Sequence, residues 1–206
     1  MSSAGRLLAL AAGELKLPWR LRVVPVCSST EGLLSQWLAS AGAPPLAVLA
    51  RRQRHGRGQY GRSWQSPPGG LWLSAALPWQ GPPPTDDPSQ LPLLVAAELA
   101  AELAGLAAAA GAAPLRIKAP NDLMVGRRKL AGVLTSAVWR GAELQQLRIG
   151  IGLNGRHPIR PPGITLEQWL GAGRCPPWPR LALMGLRALE RLACRDQAWD
   201  TGRSCR

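Results

Sequence analysis

Residues 53–66 read QRHGRGQYGRSWQS, and Gly56–Ser63 within them, GRGQYGRS, nearly spell the phosphate-binding pattern G-x-x-x-x-G-K-[ST], with Arg62 in the lysine's place. Three glycines and two arginines (Arg57 and Arg62) this close together suit an anion. Glycine lets backbone N–H groups approach it, and guanidinium forks pair with its oxygens. A phosphate loop runs from a strand directly into a helix whose N-terminus faces the phosphate. Here WQSPPGGLWLS follows, two prolines and two glycines before an apolar strand, so that helix is missing. The same objection meets a dinucleotide reading of Gly56, Gly58 and Gly61. Taken alone, the loop stays open to a solvated glycine turn or an Arg-Gly segment that binds RNA, although apolar strands on both sides tie it to a fold. A second cluster lies in RIKAPNDLMVGRRKLAGVL, residues 116–134. Pro120, Asn121 and Asp122 are turn formers, Lys118 and Lys129 flank them, and Gly132 permits a close approach to its strand. All but three of the 25 basic residues are arginine; the exceptions are Lys16, Lys118 and Lys129. A lysine where arginine is the default cation points to work for a compact, rotatable ammonium.

Strands and turns must position these groups. LRVVPVC (21–27) is β-branched and reads as a strand. Ser28, Ser29 and Thr30 then offer hydroxyls at a turn or N-cap before the helical spacing of Leu33, Leu34, Trp37 and Leu38. PLAVLA (45–50) is a second strand, followed by the glycine–arginine loop, and GGLWLSAALP (69–78) is a third. A Pro-rich loop leads to an Ala/Leu helix at 91–110, laid against a sheet, with Glu98 and Glu102 on one face. LRIKAP (115–120), DLMV (122–125), LAGVLTSAVW (130–139) and LRIGIGLN (147–154) are strands whose lengths and Gly, Pro and Asn boundaries suit antiparallel pairing. Helices follow around Leu166–Leu170 and Pro179–Cys194. The expected fold is a single α/β (α+β) domain with a mixed, largely antiparallel sheet flanked by helices. It divides into an N-terminal segment (1–20), a core (21–155) and a helical, Arg/Pro-rich tail (156–206).

At 206 residues, 46% hydrophobic and 18% charged, the chain is no disordered polyelectrolyte and can fill one core. A net charge of +13 invites a nucleic-acid or acidic partner. The basic residues are dispersed, however, and a chain-wide preference for arginine needs no partner to explain it. Cys27, Cys175, Cys194 and Cys205 show no C-x-x-C and no metal-like spacing with His55 or His157, as expected of free thiols in a reducing compartment. The apolar run near the N-terminus is short for a signal peptide. The most apolar stretch carries Glu98 and Glu102, so no membrane span and a cytoplasmic location are expected.

Taken in order, SST, QRHGRGQYGRSW, SPPGGLWLS, KAPNDL, KLAGVL and GIGLN resemble the catalytic domain of biotin–protein ligases, such as biotin–[acetyl-CoA-carboxylase] ligase, over about residues 21–155. Each motif alone is modest; six in the right order are specific. The resemblance implies the class II synthetase-like biotin/lipoate ligase fold and a two-step reaction. Biotin and ATP, with Mg2+, give biotinyl-5′-AMP, whose biotinyl group then passes to a lysine of a biotin carboxyl carrier protein. It further implies that Lys129 and Arg57 act in catalysis. Ser29, Thr30, Glu31, Gln53, Gly56, Gly58, Gln59 and Gly132 would join them around biotin. Arg62, Trp64, Asn121, Asp122 and Asn154 would contact ATP, with Asp122 also a Mg2+ ligand. Three positions depart from the family pattern: Glu31 stands for an Asn, Ala119 for a Trp, and Gln59 for an Arg that holds biotin and its adenylate. Only residues 1–20 precede the first strand, so a monofunctional enzyme without a DNA-binding repressor domain is expected; a homodimer is compatible with it. The family's small C-terminal β-barrel is not recognisable in residues 156–206. The alternatives are a lipoate or octanoate ligase or transferase of the same fold, and a non-catalytic binding protein that kept the fold.

Overall fold

In the computed structural model, which describes residues 2–195 except 42–43, 80–82 and 86, the chain runs α1 (Ser3–Glu14), β1 (Arg20–Cys27), α2 (Thr30–Ala41), β2 (Leu46–Arg57), β3 (Ser63–Ser66) and β4 (Leu71–Pro78). It continues with α3 (Leu91–Ala110), β5 (Leu115–Lys118), β6 (Asp122–Val125), β7 (Arg128–Arg140), β8 (Glu143–Leu153), α4 (Leu166–Leu170) and α5 (Trp178–Arg195). The strands make one sheet in the order β1-β2-β4-β8-β7-β6-β5, with β3 added to β2 off that path. β1 and β2 are parallel, as a connection through α2 requires, and the other pairs are antiparallel. This is the mixed, largely antiparallel sheet expected.

Both faces of the central strands are covered, which explains why β4, LWLSAALP, is apolar almost throughout. On one face Leu34 of α2, with Leu33, Trp37 and Leu38, packs on Leu46, Val48 and Ala76. The other face carries Ala47, Leu49, Leu71 and Leu73 into the main core with α3 and α5. Gly185 brings α5 close: a Cβ there would lie 2.9 Å from Leu71 Cδ2.

Three expectations change. Residues 1–20 are not an appendage, because α1 is capped by Ser2 and buries Leu7 and Ala11. Glu190 of α5 then accepts from Lys16 N (2.9 Å), Leu17 N (2.7 Å) and Trp19 Nε1 (3.1 Å). Residues 156–195 are likewise part of the main core, through Leu166, Trp169, Leu183 and Leu186; no strand follows β8 among the described residues. The second strand does not stop at residue 50 but runs to Arg57, so residues 53–57 of the supposed loop are strand. A further finding is that the glutamates of α3 point inward. By length and composition α3 could cross a membrane; it is instead pinned in the core by charge. Glu102, its side chain 2% exposed, accepts from Arg187 Nη2 (2.8 Å) and pairs with Arg191, while Glu98 accepts from Arg191 Nε (2.7 Å). Glu14 of α1 joins through Arg187 Nη1 (3.1 Å).

Removing one partner of a buried pair strands the other's charge. Because the arginines are 40% exposed, water recovers part of that loss. Glu102→Ala should therefore lower stability by about 2–3 kcal/mol in urea titration. Glu14→Ala, at the more exposed end of the network, should cost roughly 1 kcal/mol or less.

Candidate functional site

Strand register puts Trp72, Gly152, Gly132 and Asp122 side by side across β4, β8, β7 and β6. Cross-strand partners project to the same face, so two neighbouring glycines leave a shallow floor, on the face that α2 covers. The indole of Trp64, carried by the β2–β3 hairpin, lies on it. A Cβ at Gly152 would sit 2.6 Å from Trp64 Cε2 and Nε1, and one at Gly132 would sit 3.1 Å from Cζ3. Lys129 Nζ lies 5.0 Å from the centre of the Trp64 ring and 2.5 Å from Asp122 Oδ1. One ammonium thus faces an aromatic quadrupole and a carboxylate together. Its backbone is fixed on both sides: Lys129 N donates to Pro162 O (2.9 Å), and Lys129 O accepts from Ile164 N (3.0 Å) and Asn154 Nδ2 (3.2 Å). The tip keeps access to solvent, with the side chain 32% exposed.

A second feature is a chain of polar side chains beside this floor. Thr30 Oγ1 donates to Gln53 Oε1 (2.9 Å) and lies 2.8 Å from Ser74 Oγ; Thr30 N also donates to Gln53 Oε1 (2.7 Å). Gln53 Nε2 donates to Ser66 Oγ (2.8 Å). The chain ties α2, β2, β3 and β4 together and presents donors and acceptors side by side. Ser29 caps α2 by accepting from Gly32 N (3.2 Å). Gly56 serves the hairpin itself, since a Cβ there would meet Trp64 O at 2.5 Å.

The structure brings Trp64, Asp122, Lys129, Gly132 and Asn154 together in one cluster and Ser29, Thr30 and Gln53 in the adjoining one. Other expected residues stand apart. Asn121 is buried and donates to Val133 O (2.7 Å), closing the β6–β7 pairing. Gly58, Gln59 and Arg62 form the hairpin tip, closed by Gly58 N to Arg62 O at 2.6 Å. Arg57 is exposed and its guanidinium comes only within 3.8 Å of Glu31. Residues without an assigned role in the sequence reading are Gly152, Ser66 and Ser74, although all three fall inside the motifs quoted above. Their role lies in register and side-chain geometry, which a single chain's letters do not display.

At the end of the floor Trp72 meets His157, ring centroids 5.5 Å apart; burial lowers the pKa of this imidazole, favouring its neutral form. Burial also raises the pKa of the Cys27 thiol near α2, which argues against a thiolate nucleophile. No group of three or more His, Cys, Asp or Glu side chains among the described residues could hold a metal. Asp122 offers one carboxylate, already paired with Lys129. One carboxylate is too few for a self-sufficient metal site; it is enough only for a Mg2+ whose other ligands come from a bound molecule's phosphates and water. What the site can do is neutralise and orient anions on a shielded glycine floor.

The chain matches the model of the biotin/lipoate A/B protein ligase family over residues 23–154. It is 36% identical over 136 residues to the bifunctional ligase/repressor BirA of Escherichia coli, covering 64% of this chain and 39% of that protein. It is 39% identical over 107 residues to a biotin–[acetyl-CoA-carboxylase] ligase of Paracoccus denitrificans, covering 52% of this chain and 43% of that protein. The chain therefore spans about two fifths of the length of these curated relatives. Among solved structures it resembles the biotin protein ligase of Aquifex aeolicus in complex with biotin and ATP, at a TM-score of 0.64 and 27% identity, covering 87% of this chain and 70% of that one.

The glycine floor yields a direct test. Gly152→Ala must move the Trp64 ring and should destabilise by about 1–3 kcal/mol in urea titration, with a changed tryptophan emission. Gly150→Ala is the control, because its Cβ would meet nothing closer than 3.6 Å; it should stay within about 1 kcal/mol.

Proposed function

Because the chain belongs to the biotin/lipoate A/B protein ligase family, we propose that it is an ATP-dependent biotin–protein ligase. It joins biotin to AMP and then transfers the biotinyl group to a lysine of a biotin carboxyl carrier protein. The observation that carries this reading is the ammonium of Lys129, held 2.5 Å from Asp122 and 5.0 Å from the Trp64 ring over the glycine floor. Biotin and ATP are the ligands of the Aquifex relative.

The first step brings a carboxylate to the α-phosphate of ATP, two groups that repel. The carboxylate oxygen bonds to the α-phosphorus as the bond to the bridging oxygen of pyrophosphate breaks. In this reading Lys129 binds the carboxylate and offsets charge on that bridging oxygen, and its fixed backbone means little reorganisation at that moment. Arg57, exposed and held only by a long pair with Glu31, is free to turn its fork onto carboxylate or phosphate. The side chains of Thr30, Gln53, Ser66 and Ser74 offer the planar ureido ring of biotin matching donors and acceptors. Asp122 is the residue that would hold a Mg2+ bound with the triphosphate, and the ion would supply further charge neutralisation there. In the second step the neutral amine of the acceptor lysine attacks the carbonyl of the mixed anhydride; an amide forms and AMP leaves. The net charge of +13 suits two anionic substrates and an acidic carrier.

Biotin should promote exchange of labelled pyrophosphate into ATP, with lipoate as the parallel ligand. Lys129→Ala should lose most of this exchange, by about ten- to a hundred-fold for one charge-assisted contact, while circular dichroism stays native. No exchange with biotin sinks the reading, exchange with lipoate alone moves the substrate to lipoate, and an unchanged Lys129→Ala rate removes that residue from its role. Gln59 stands where the family pattern has an arginine, so Gln59→Arg should slow escape of biotinyl-5′-AMP by roughly tenfold or more. The check is the adenylate retained by the protein after rapid gel filtration.

A further inference from the structure

Two of the three lysines flank the Pro120–Asp122 turn, and Lys118, unlike Lys129, has no part in the cluster around Trp64. β5 pairs with β6 so that Lys118 lies opposite Asp122 and Arg116 opposite Met124. Leu115, Leu123 and Val125 belong to the main core. Side chains alternate along a strand, so Arg116, Lys118, Asp122 and Met124 project to the other face, that of the glycine floor. The row of Trp72, Gly152, Gly132 and Asp122 thus continues one strand further, to Lys118. A second row beside it runs through Lys129, Met124 and Arg116.

These rows set three cations against one carboxylate, and that carboxylate is taken, because Asp122 holds Lys129 at 2.5 Å. Lys118, directly opposite Asp122, has no ion pair with a described residue, and neither has Arg116. Both are exposed. β5 is an edge strand, where charge discourages stray pairing. Arginine serves that purpose equally and is the default cation of this chain. A lysine ammonium is instead a compact point charge suited to phosphate oxygens. Neighbouring strands lie about 4.8 Å apart, so Lys118 and Arg116 start about 10 Å outward from the strand of Lys129 and reach back on long stems. A polyphosphate whose first phosphate lies at Lys129 meets them as it runs outward past Asp122. Resting on the ligase reading, we propose that Lys118 and Arg116 form the subsite for the β- and γ-phosphates of ATP and so hold the pyrophosphate that leaves.

Sodium tripolyphosphate is the direct probe, titrated calorimetrically into the full chain at constant ionic strength, with AMP and biotin as parallel ligands. Lys118→Ala and Arg116→Ala should each weaken tripolyphosphate about tenfold or more while AMP and biotin change by no more than about twofold. Arg140→Ala removes one charge at the far end of β7 and should bind tripolyphosphate as the unaltered chain does. In pyrophosphate exchange, Lys118→Ala should raise the KM for ATP by about tenfold and leave that for biotin unchanged. No tripolyphosphate binding by the unaltered chain, an unchanged affinity in Lys118→Ala, or an equal loss in Arg140→Ala overturns the proposal. Tripolyphosphate binding requires neither biotin nor turnover, which separates the two readings. Lys118-dependent binding without biotin-dependent exchange counts against the ligase alone, and exchange with an unaltered ATP KM in Lys118→Ala counts against this subsite alone.

Discussion

The candidate site depends on an aromatic ring resting on bare backbone. Trp64 can lie over β7 and β8 only because the register partners Gly132 and Gly152 carry no side chains. That contact sets the height of the β2–β3 hairpin above the sheet. It also gives the Lys129 ammonium an aromatic face opposite its carboxylate partner. Side chains at those two positions would push the ring away and leave the lysine with Asp122 alone. Gly56 does the same for the hairpin's own strands, where Trp64 O comes within 2.5 Å of a Cβ position. Glycine is thus used at close contacts, and at these positions conformational freedom is not the reason.

Rigidity behind the cleft comes from the opposite face. α5 packs on Leu71 and Leu73 of β4, whose alternate residues, Trp72 and Ser74, belong to the site. Glu98 and Glu102 hold α5 through Arg187 and Arg191, and Glu190 draws the segment after α1 onto the same helix. A strand clamped from behind keeps its front-face groups in place when charged ligands arrive. Preorganisation of this kind is what the proposed joining of two anions requires.

Much of this was legible in the sequence. The strands between residues 115 and 154, the two late helices and the helix after Thr30 follow from periodicity and turn residues. The ordered motifs pointed to Lys129, Asp122, Trp64 and Gly132. Other features were hidden for identifiable physical reasons. α1 has the spacing of an amphipathic helix at Leu7, Leu10 and Ala11, but its partner α5 lies over 160 residues away. β2 continues through QRHGR because pairing with β3 and β1, not apolar side chains, sustains it. The glutamates of α3 look solvent-facing until the arginines of α5 are placed beside them. Gly152, Ser66 and Ser74 gain meaning only from their neighbours across the sheet.

The central claim is that biotin is bound between the start of α2 and the Lys129–Trp64–Asp122 cluster. The most direct test is a crystal structure of the chain soaked with saturating biotin. The account predicts the ureido ring against Thr30 and Gln53, with the carboxylate about 3 Å from Lys129 Nζ. Biotin bound elsewhere, or a cleft that stays free of biotin with Trp64 unmoved at saturation, would contradict it.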